Sequence, residues 1–318
     1  MKICVLGAGA LGCAIGGVLA EAGCAVTLVT RNAAHVAAID RDGLRLVEDG
    51  RERTVAVRAA TDCAALGTMD LVIVLVKSFH TRAAIESAPN IVGPGTVVLS
   101  LQNGLGHEDV LAEVVGRDKV MAGKTYVGGV LLAPGRILVG TAGKETLIGE
   151  LDGRASARAR AIADEFRRAG LQLTLSENIV GTMWDKLLVN VSTGALSGIT
   201  RLAYGELYQV PEVEACALAA VAEAMAVAKA CGVVLETREP REAWLKAAEG
   251  LPGDFKTSML QSLEKGSVTE IDFINGAVVR WGARCGVATP VNQTLVAGIK
   301  GIERRMRLAA ARTEETSP

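Results

Sequence analysis

The chain has 318 residues, half of them hydrophobic and 22% charged, with a formal net charge of −1. That is a globular composition with room for two domains. Near-neutral charge and 3% aromatic residues offer neither a polyanion-binding surface nor stacking platforms, so nucleic-acid binding is not expected. Nor is a membrane span: the most apolar long stretch, Ala215 to Val234, is interrupted by Glu223 and Lys229. The seven cysteines (4, 13, 24, 63, 216, 231 and 285) are odd in number, scattered and mostly set in apolar runs. They read as small buried hydrophobes in a reducing, cytoplasmic compartment, not as a disulfide or metal framework.

The first residues organise the rest. Ile3 to Leu6 has the length of a buried strand, and Gly7, Gly9 and Gly12 follow in G-x-G-x-x-G spacing. A helical stretch then ends near Gly23, and a second strand runs from Ala25 to Thr30. In that strand–turn–helix–strand context the glycines mean dinucleotide binding. Gly7 permits the sharp turn, Gly9 the approach of a pyrophosphate and Gly12 close helix–strand packing, while the helix's first N–H groups face the phosphates. A secretory signal peptide is the rival reading of the apolar stretch to Ala20. Glycines 7, 9, 12, 16 and 17 weaken it as a helix, and the second strand continues it as a βαβ unit.

Beyond Arg31 a helical turn spans Ala33 to Asp40, followed by alternating stretches at Gly43–Val47 and Thr54–Val57. Leu71–Val76 is a fully apolar run suited to a central parallel strand and Thr96–Leu101 reads as another such strand, ended by Lys77 and by Gln102-Asn103-Gly104. Thr81–Ser87 reads as the crossover helix between them. Short strands are expected at Val120–Ala122, Thr125–Leu132, Arg136–Val139 and Glu145–Ile148, then a helix at Arg154–Ala169 and a strand at Leu171–Leu175. From Ser176 apolar residues recur at helical spacing, with helices expected at about 178–195, 211–231, 258–265, 270–285 and 291–311. Gly205, Gly232 and Gly286 mark helix ends, and Pro211 opens a first turn. The expected organisation is a Rossmann-type α/β domain over residues 1–177 and an all-helical domain over 178–318. The tail from Arg312 is polar and expected to fray.

Several residues stand where chemistry could use them. The end of the second strand holds Thr30-Arg31-Asn32, where an NAD-preferring unit carries an Asp or Glu. Arg31 suits a 2′-phosphate through forked, charge-assisted hydrogen bonds, so NADP(H) is expected over NAD(H). Lys77 and Asn103, at strand ends, would emerge beside the cofactor, though taken singly each is how strands ordinarily end. Lys186 and Asn190 are four apart and share a helix face; on spacing alone a snorkelling lysine is the stronger reading. Glu270 and Asp272 would head a helix, where the dipole alone accounts for a carboxylate.

The pieces together resemble the ketopantoate reductases (2-dehydropantoate 2-reductases). The residues that carry the resemblance are GAGALG at 7–12, Arg31, Lys77, QNG at 102–104, WDKLLVN at 184–190, SMLQ at 258–261 and TEIDFING at 269–276. It spans essentially the whole chain apart from the tail. It implies a cytoplasmic NADPH-dependent enzyme of pantothenate biosynthesis that holds a small 2-ketoacid in the cleft between the two domains. Lys186 would be the catalytic acid with Glu270 as its carboxylate partner, and Asn103, Asn190 and Ser258 would contact substrate. The cofactor would lie against Gly7, Ala8, Gly9, Ala10, Leu11, Gly12, Arg31, Lys77, Asn103 and Glu270. No metal is implied. Many family members carry a second asparagine four residues after the one matching Asn190; here it is Gly194, which keeps another 2-ketoacid open as substrate. A non-catalytic dinucleotide sensor is the rival from another class, and Lys186, Asn190, Ser258 and Glu270 together argue against it. A homodimer through the long helices is open, because their apolar stripes are equally explained by their own core.

Overall fold

Ile3 and Val5 enter one hydrophobic cluster, while Cys4 and Leu6 on the opposite face of the same strand enter another, and all four are buried. A strand covered on both faces is the mark of a parallel sheet between helical layers. It sets the plan of the first half of the chain in the computed structural model, which describes residues 1–315. In chain order the elements are β1 (Lys2–Leu6), α1 (Ala10–Glu21), β2 (Ala25–Val29), α2 (Ala33–Asp42), β3 (Leu44–Glu48), β4 (Arg51–Val55), β5 (Arg58–Ala60), β6 (Leu71–Val74), α3 (Thr81–Glu86), β7 (Val97–Ser100), α4 (His107–Val115), β8 (Val120–Thr125), β9 (Gly128–Ala133), β10 (Arg136–Gly140), β11 (Glu145–Glu150), α5 (Ala157–Arg168) and β12 (Gln172–Leu175). Eight strands form one sheet in the order β12-β11-β8-β7-β6-β1-β2-β5. Every neighbouring pair is parallel except β8 and β11.

The short alternating stretches pair elsewhere. They make a second sheet, β4-β3-β10-β9, in which β10 runs parallel to β3 and the outer pairs are antiparallel. Helix α1 serves both sheets. A Cβ at Gly16 would stand 2.6 Å from Leu28 Cδ2 on the main sheet, and one at Gly17 would stand 2.7 Å from Leu44 Cδ2 on the small one. Glycine's cost in a helix interior is the condition for this double contact.

The second half is helical: α6 (Ile179–Thr200), α7 (Tyr204–Leu207), α8 (Pro211–Ala230), α9 (Pro240–Ala248), α10 (Ser258–Glu264), α11 (Asn275–Cys285) and α12 (Pro290–Glu315). Alanine-rich α8 is central and packs against α9, α11 and α12. Its Glu223 accepts the N–H groups of Val291 and Asn292 at 2.8 and 3.0 Å, capping the first turn of α12. Met1–Gln102 and Gly106–Val180 form one compact unit; Asn103–Leu105 belong with Gly181 and the chain beyond it in the other. No helix among the described residues is long and apolar enough to cross a membrane.

Several expectations are corrected. Helices α4 and α9 stand where the sequence reading places no element. Gly205 does not stop a helix: it lies inside α7 and donates its N–H to Gly253 O at 2.7 Å. Residues 270–285 are not one helix, because a 3₁₀ turn at Ile271–Phe273 precedes α11, so Glu270 lies outside any α-helix. Helix α12 continues past Arg312 to Glu315, and the rest of the tail expected to fray lies outside the described residues. Cys231 and Cys285, at the C-terminal ends of α8 and α11, are joined in a disulfide; spatial proximity decides that pairing, and the scatter in sequence concealed it. The other five cysteines are thiols.

Candidate active site

The glycine turn is built by close approach. Gly7 has φ +106°, and a Cβ there would meet Val76 N at 2.4 Å. A Cβ on Gly12 would meet Gly7 O at the same distance. The N–H groups of Gly7 and Ala8 both donate to Val29 O, at 3.0 and 2.8 Å, which locks the turn to the end of β2. Gly9 is different: nothing lies within 4 Å of where its Cβ would be. It is the N-cap of α1 and no side chain caps that helix. The N–H groups of Ala10, Leu11 and Gly12 therefore lack intrahelical acceptors, as first-turn groups must. An open concave backbone ending in donors at a helix N-terminus fits a dinucleotide's pyrophosphate.

A buried network stands behind the turn. Gly135 N–H donates to His35 Nδ1 at 2.9 Å, which leaves the ring proton on Nε2, 3.2 Å from Cys13 Sγ. The Cys13 thiol in turn donates to Ala8 O at 3.4 Å. Burial pushes the His35 imidazole down and the Cys13 thiol up to about 12, so both stay neutral near pH 7. Sequence reasoning misses His35, whose only local signal is a polar residue at a buried position of α2.

Arg31 lies exposed just beyond β2, with Nη2 3.1 Å from His80 Nε2. Arginine has no acceptor, so His80 accepts on Nε2 and carries its proton on Nδ1. Partial burial, and then the Arg31 charge, hold His80 below its ordinary value. His80 is thus a second group missed from the sequence, beside the expected 2′-phosphate ligand. Lys77, exposed, opens the 3₁₀ turn Ser78–His80. It and Asn103 do not end their strands as expected: β6 stops at Val74 and β7 at Ser100. The chain beyond is held by Gln102, whose Nε2 donates to Val76 O and to Thr81 Oγ1, both at 2.8 Å. One buried amide thereby couples the two loops that present Lys77 and Asn103.

The helical unit assembles the remaining residues. Lys186 and Asn190 are half-buried, one turn apart on α6, and the same stripe continues through Gly194 and Gly198. At Gly194 a Cβ would meet Met259 Cε at 3.6 Å, an ordinary contact, so an apolar methyl borders the position. Gly198 is pressed against Ile299 and Leu263, where a Cβ would lie 2.8 and 3.2 Å from their Cδ1 atoms. Ser258, exposed, is the first residue of α10 and precedes Met259. Next to Lys186, the buried Asp185 carboxylate accepts Glu236 N–H and Thr237 N–H at 3.0 and 2.9 Å, fastening α6 to the loop after α8. Glu270, half-buried, is followed by the 3₁₀ turn. That turn meets Asn103-Gly104-Leu105: Leu105 N–H donates to Phe273 O at 2.9 Å, and a Cβ on Gly104 (φ +95°) would lie 2.4 Å from the same oxygen. Glycine is required there, and the motifs carrying Asn103 and Glu270 are joined by it.

The first unit holds a dinucleotide cradle, and the second holds an amine and a carboxylate among amides and hydroxyls. Relatives show the family. The curated 2-dehydropantoate 2-reductase of Halobacterium salinarum is 36% identical, over 93% of this chain and 96% of that one. A crystal structure of a ketopantoate reductase from Ralstonia eutropha superposes with a TM-score of 0.88 at 35% identity, covering 96% of this chain and 100% of the other. A D-mandelate dehydrogenase solved with NADH and anilino(oxo)acetate gives 0.89 at 28% identity, with 96% and 100% coverage. Its bound NADH and the glycine cradle here agree on a nicotinamide dinucleotide as cofactor. The family model "Ketopantoate reductase PanE/ApbA" matches residues 3–153 and its C-terminal counterpart matches 178–303. With both halves matched in order, the chain belongs to the ketopantoate reductase family.

Proposed function

We propose that this oxidoreductase uses NADPH to reduce ketopantoate to pantoate. The cofactor, when bound, supplies a hydride to the keto carbon. The turn Gly7–Gly12 holds the pyrophosphate through the first N–H groups of α1, and Arg31 forks the 2′-phosphate, with no carboxylate at the end of β2 to favour a free ribose hydroxyl. Lys77 and Asn103 lie toward the cofactor. Negative charge growing on the keto oxygen is stabilised by the Lys186 ammonium, which then delivers a proton to it. A positioned proton donor of this kind is worth typically about 10²–10⁴ in rate. Asn103, Asn190 and Ser258 hold the acid's polar groups, and Glu270 is the carboxylate partner of Lys186.

What supports this reading is the hydrogen bond between Leu105 N–H and Phe273 O, since it ties together two motifs remote in sequence that each carry a candidate group for the chemistry. The test is steady-state reduction of ketopantoate with NADPH and with NADH. NADPH should be preferred, and Arg31→Ala should erase the preference with little loss of NADH-dependent rate. Lys186→Ala should lose most of kcat while binding NADPH nearly as well; unchanged kcat would remove Lys186 as the acid. A second reading is favoured by one observation, the Met259 methyl 3.6 Å from the Cβ site of Gly194. It predicts a 2-ketoacid with an apolar side chain, and would stand if such an acid outran ketopantoate in kcat/KM.

A further inference from the structure

Glu270 sits in an irregular stretch, Thr269 to Phe273, that has little regular structure of its own: a single 3₁₀ turn, closed by Phe273 N–H to Glu270 O at 2.9 Å. What fixes this stretch comes largely from α12. Glu303, on the buried side of that helix, is 3% exposed, and its Oε1 accepts both the N–H and the hydroxyl of Thr269, at 2.8 and 2.7 Å. Thr269 is itself 2% exposed, and its hydroxyl oxygen accepts Ile271 N–H at 3.3 Å, across Glu270. The other Glu303 oxygen lies 3.6 Å from Lys300 Nζ, which also pairs with Asp272. On the far side Arg280 Nη1 donates to Asp272 O at 2.6 Å.

Residues on both sides of Glu270 are therefore clamped, and the residue before it is held by a buried carboxylate. Burying a carboxylate is costly unless hydrogen bonds and a countercharge offset it. A leucine of similar size would be buried there without that cost, if packing were all that mattered. The bonds of Glu303 Oε1 go to Thr269, the residue that leads into Glu270. We infer that Glu303 is a positioning residue: through Thr269 and Lys300 it sets the place of the Glu270 carboxylate for the reaction. This rests on the reading of Glu270 as an active-site group.

The experiment compares Glu303→Leu, Glu303→Gln, Thr269→Val and Glu270→Gln in the full chain, measuring kcat, ketoacid KM, NADPH Kd and melting temperature. Glutamine keeps an acceptor for Thr269, so Glu303→Gln should stay within about threefold of the parent in kcat, whereas Glu303→Leu should lose at least tenfold in kcat with NADPH Kd unchanged. Thr269→Val keeps shape while removing both the donor to Glu303 and the acceptor for Ile271 N–H, and should fall between them; it also carries the test if Glu303→Leu does not fold. In a double-mutant cycle, Glu303→Leu should add little to the loss already caused by Glu270→Gln, as expected of a residue acting through another. Additive losses, or equal kcat for the leucine and glutamine variants, would overturn the positioning role. A Glu270→Gln variant with full activity would instead overturn the site reading beneath it, and the two failures are told apart by that single variant.

Discussion

Gly9 is where the demands of fold and cofactor separate, and Gly9→Ala is the perturbation that exposes it. Its φ and ψ of −81° and −158° are open to any residue, and no heavy atom lies within 4 Å of the added methyl. Replacing glycine at such a site stabilises by about 0.4–1 kcal/mol through the unfolded chain. Alanine is a poorer N-cap than glycine, by roughly 0.5–1 kcal/mol. The two nearly cancel, so the melting temperature without cofactor should move by less than about 2 °C. The methyl would, however, fill the space in front of the first-turn N–H groups of α1. Losing one charge-assisted hydrogen bond there costs about 1.5–3 kcal/mol, a rise in dinucleotide Kd of roughly ten- to a hundredfold. Gly7→Ala is the contrast: φ +106° alone costs about 1–2 kcal/mol, and the methyl would lie 2.4 Å from the Val76 backbone, so this variant should fail in stability first. The assay is fluorescence titration with the reduced dinucleotide, beside thermal melts of the apoprotein. A Gly9→Ala protein with parental Kd would refute the placement of the pyrophosphate. One that melts many degrees lower would refute the open space.

Two buried side chains and the disulfide carry three further expectations. Asp185→Ala strands the N–H groups of Glu236 and Thr237 and should cost about 1–3 kcal/mol in urea unfolding, with Asp185→Asn costing less. Burial holds folded His35 below its unfolded value of about 6.5, so the unfolded chain takes up the proton first and stability must fall as pH drops below about 6.5. The melting temperature of the parent protein should therefore decline more steeply from about pH 7.5 to about pH 5 than that of His35→Asn, which keeps an acceptor for Gly135 N–H; parallel curves would count against it. Reducing Cys231–Cys285, which are 54 positions apart, should lower stability by up to about 4 kcal/mol on the chain-entropy account, read as a shift in the denaturation midpoint with reductant. No shift, with all seven cysteines titrating as thiols before reduction, would mean the bridge is absent in solution.

Several candidate groups were legible because the signals for them are local. The glycine turn declares itself through the spacing of Gly7, Gly9 and Gly12 between two strands, although the backbone that Gly7 accommodates, at Val76, is remote in sequence. Lys186 and Asn190 share a face because a helix repeats every 3.6 residues, whatever it packs on. The stretches at 71–76 and 96–101 have the length and β-branching of strands buried on both sides, and β6 and β7 lie within them. The second sheet was hidden for the opposite reason. Its stretches β3 and β10 look like edge hairpins by alternation, and nothing local says that they pair in parallel across some ninety residues.

The same distinction explains the error at Glu270. Residues 270–285 have helical spacing, and an isolated peptide of that pattern would have reason to extend. In the folded chain Phe273 O is taken by Leu105 N–H, Thr269 is taken by Glu303, and Ile274 is driven to φ −108° and ψ −98°, outside the helical region. Tertiary hydrogen bonds have broken a helix that propensity would have continued, and they have done so at the carboxylate proposed for chemistry. Glu303, His35, Gln102 and Asp185 share this character: each is a polar side chain whose partner is backbone from a remote segment. A motif records the groups that face a ligand, since those recur at fixed spacing. The groups that hold the motif in place depend on which segment happens to pass behind it, and they become readable only when the chain is folded.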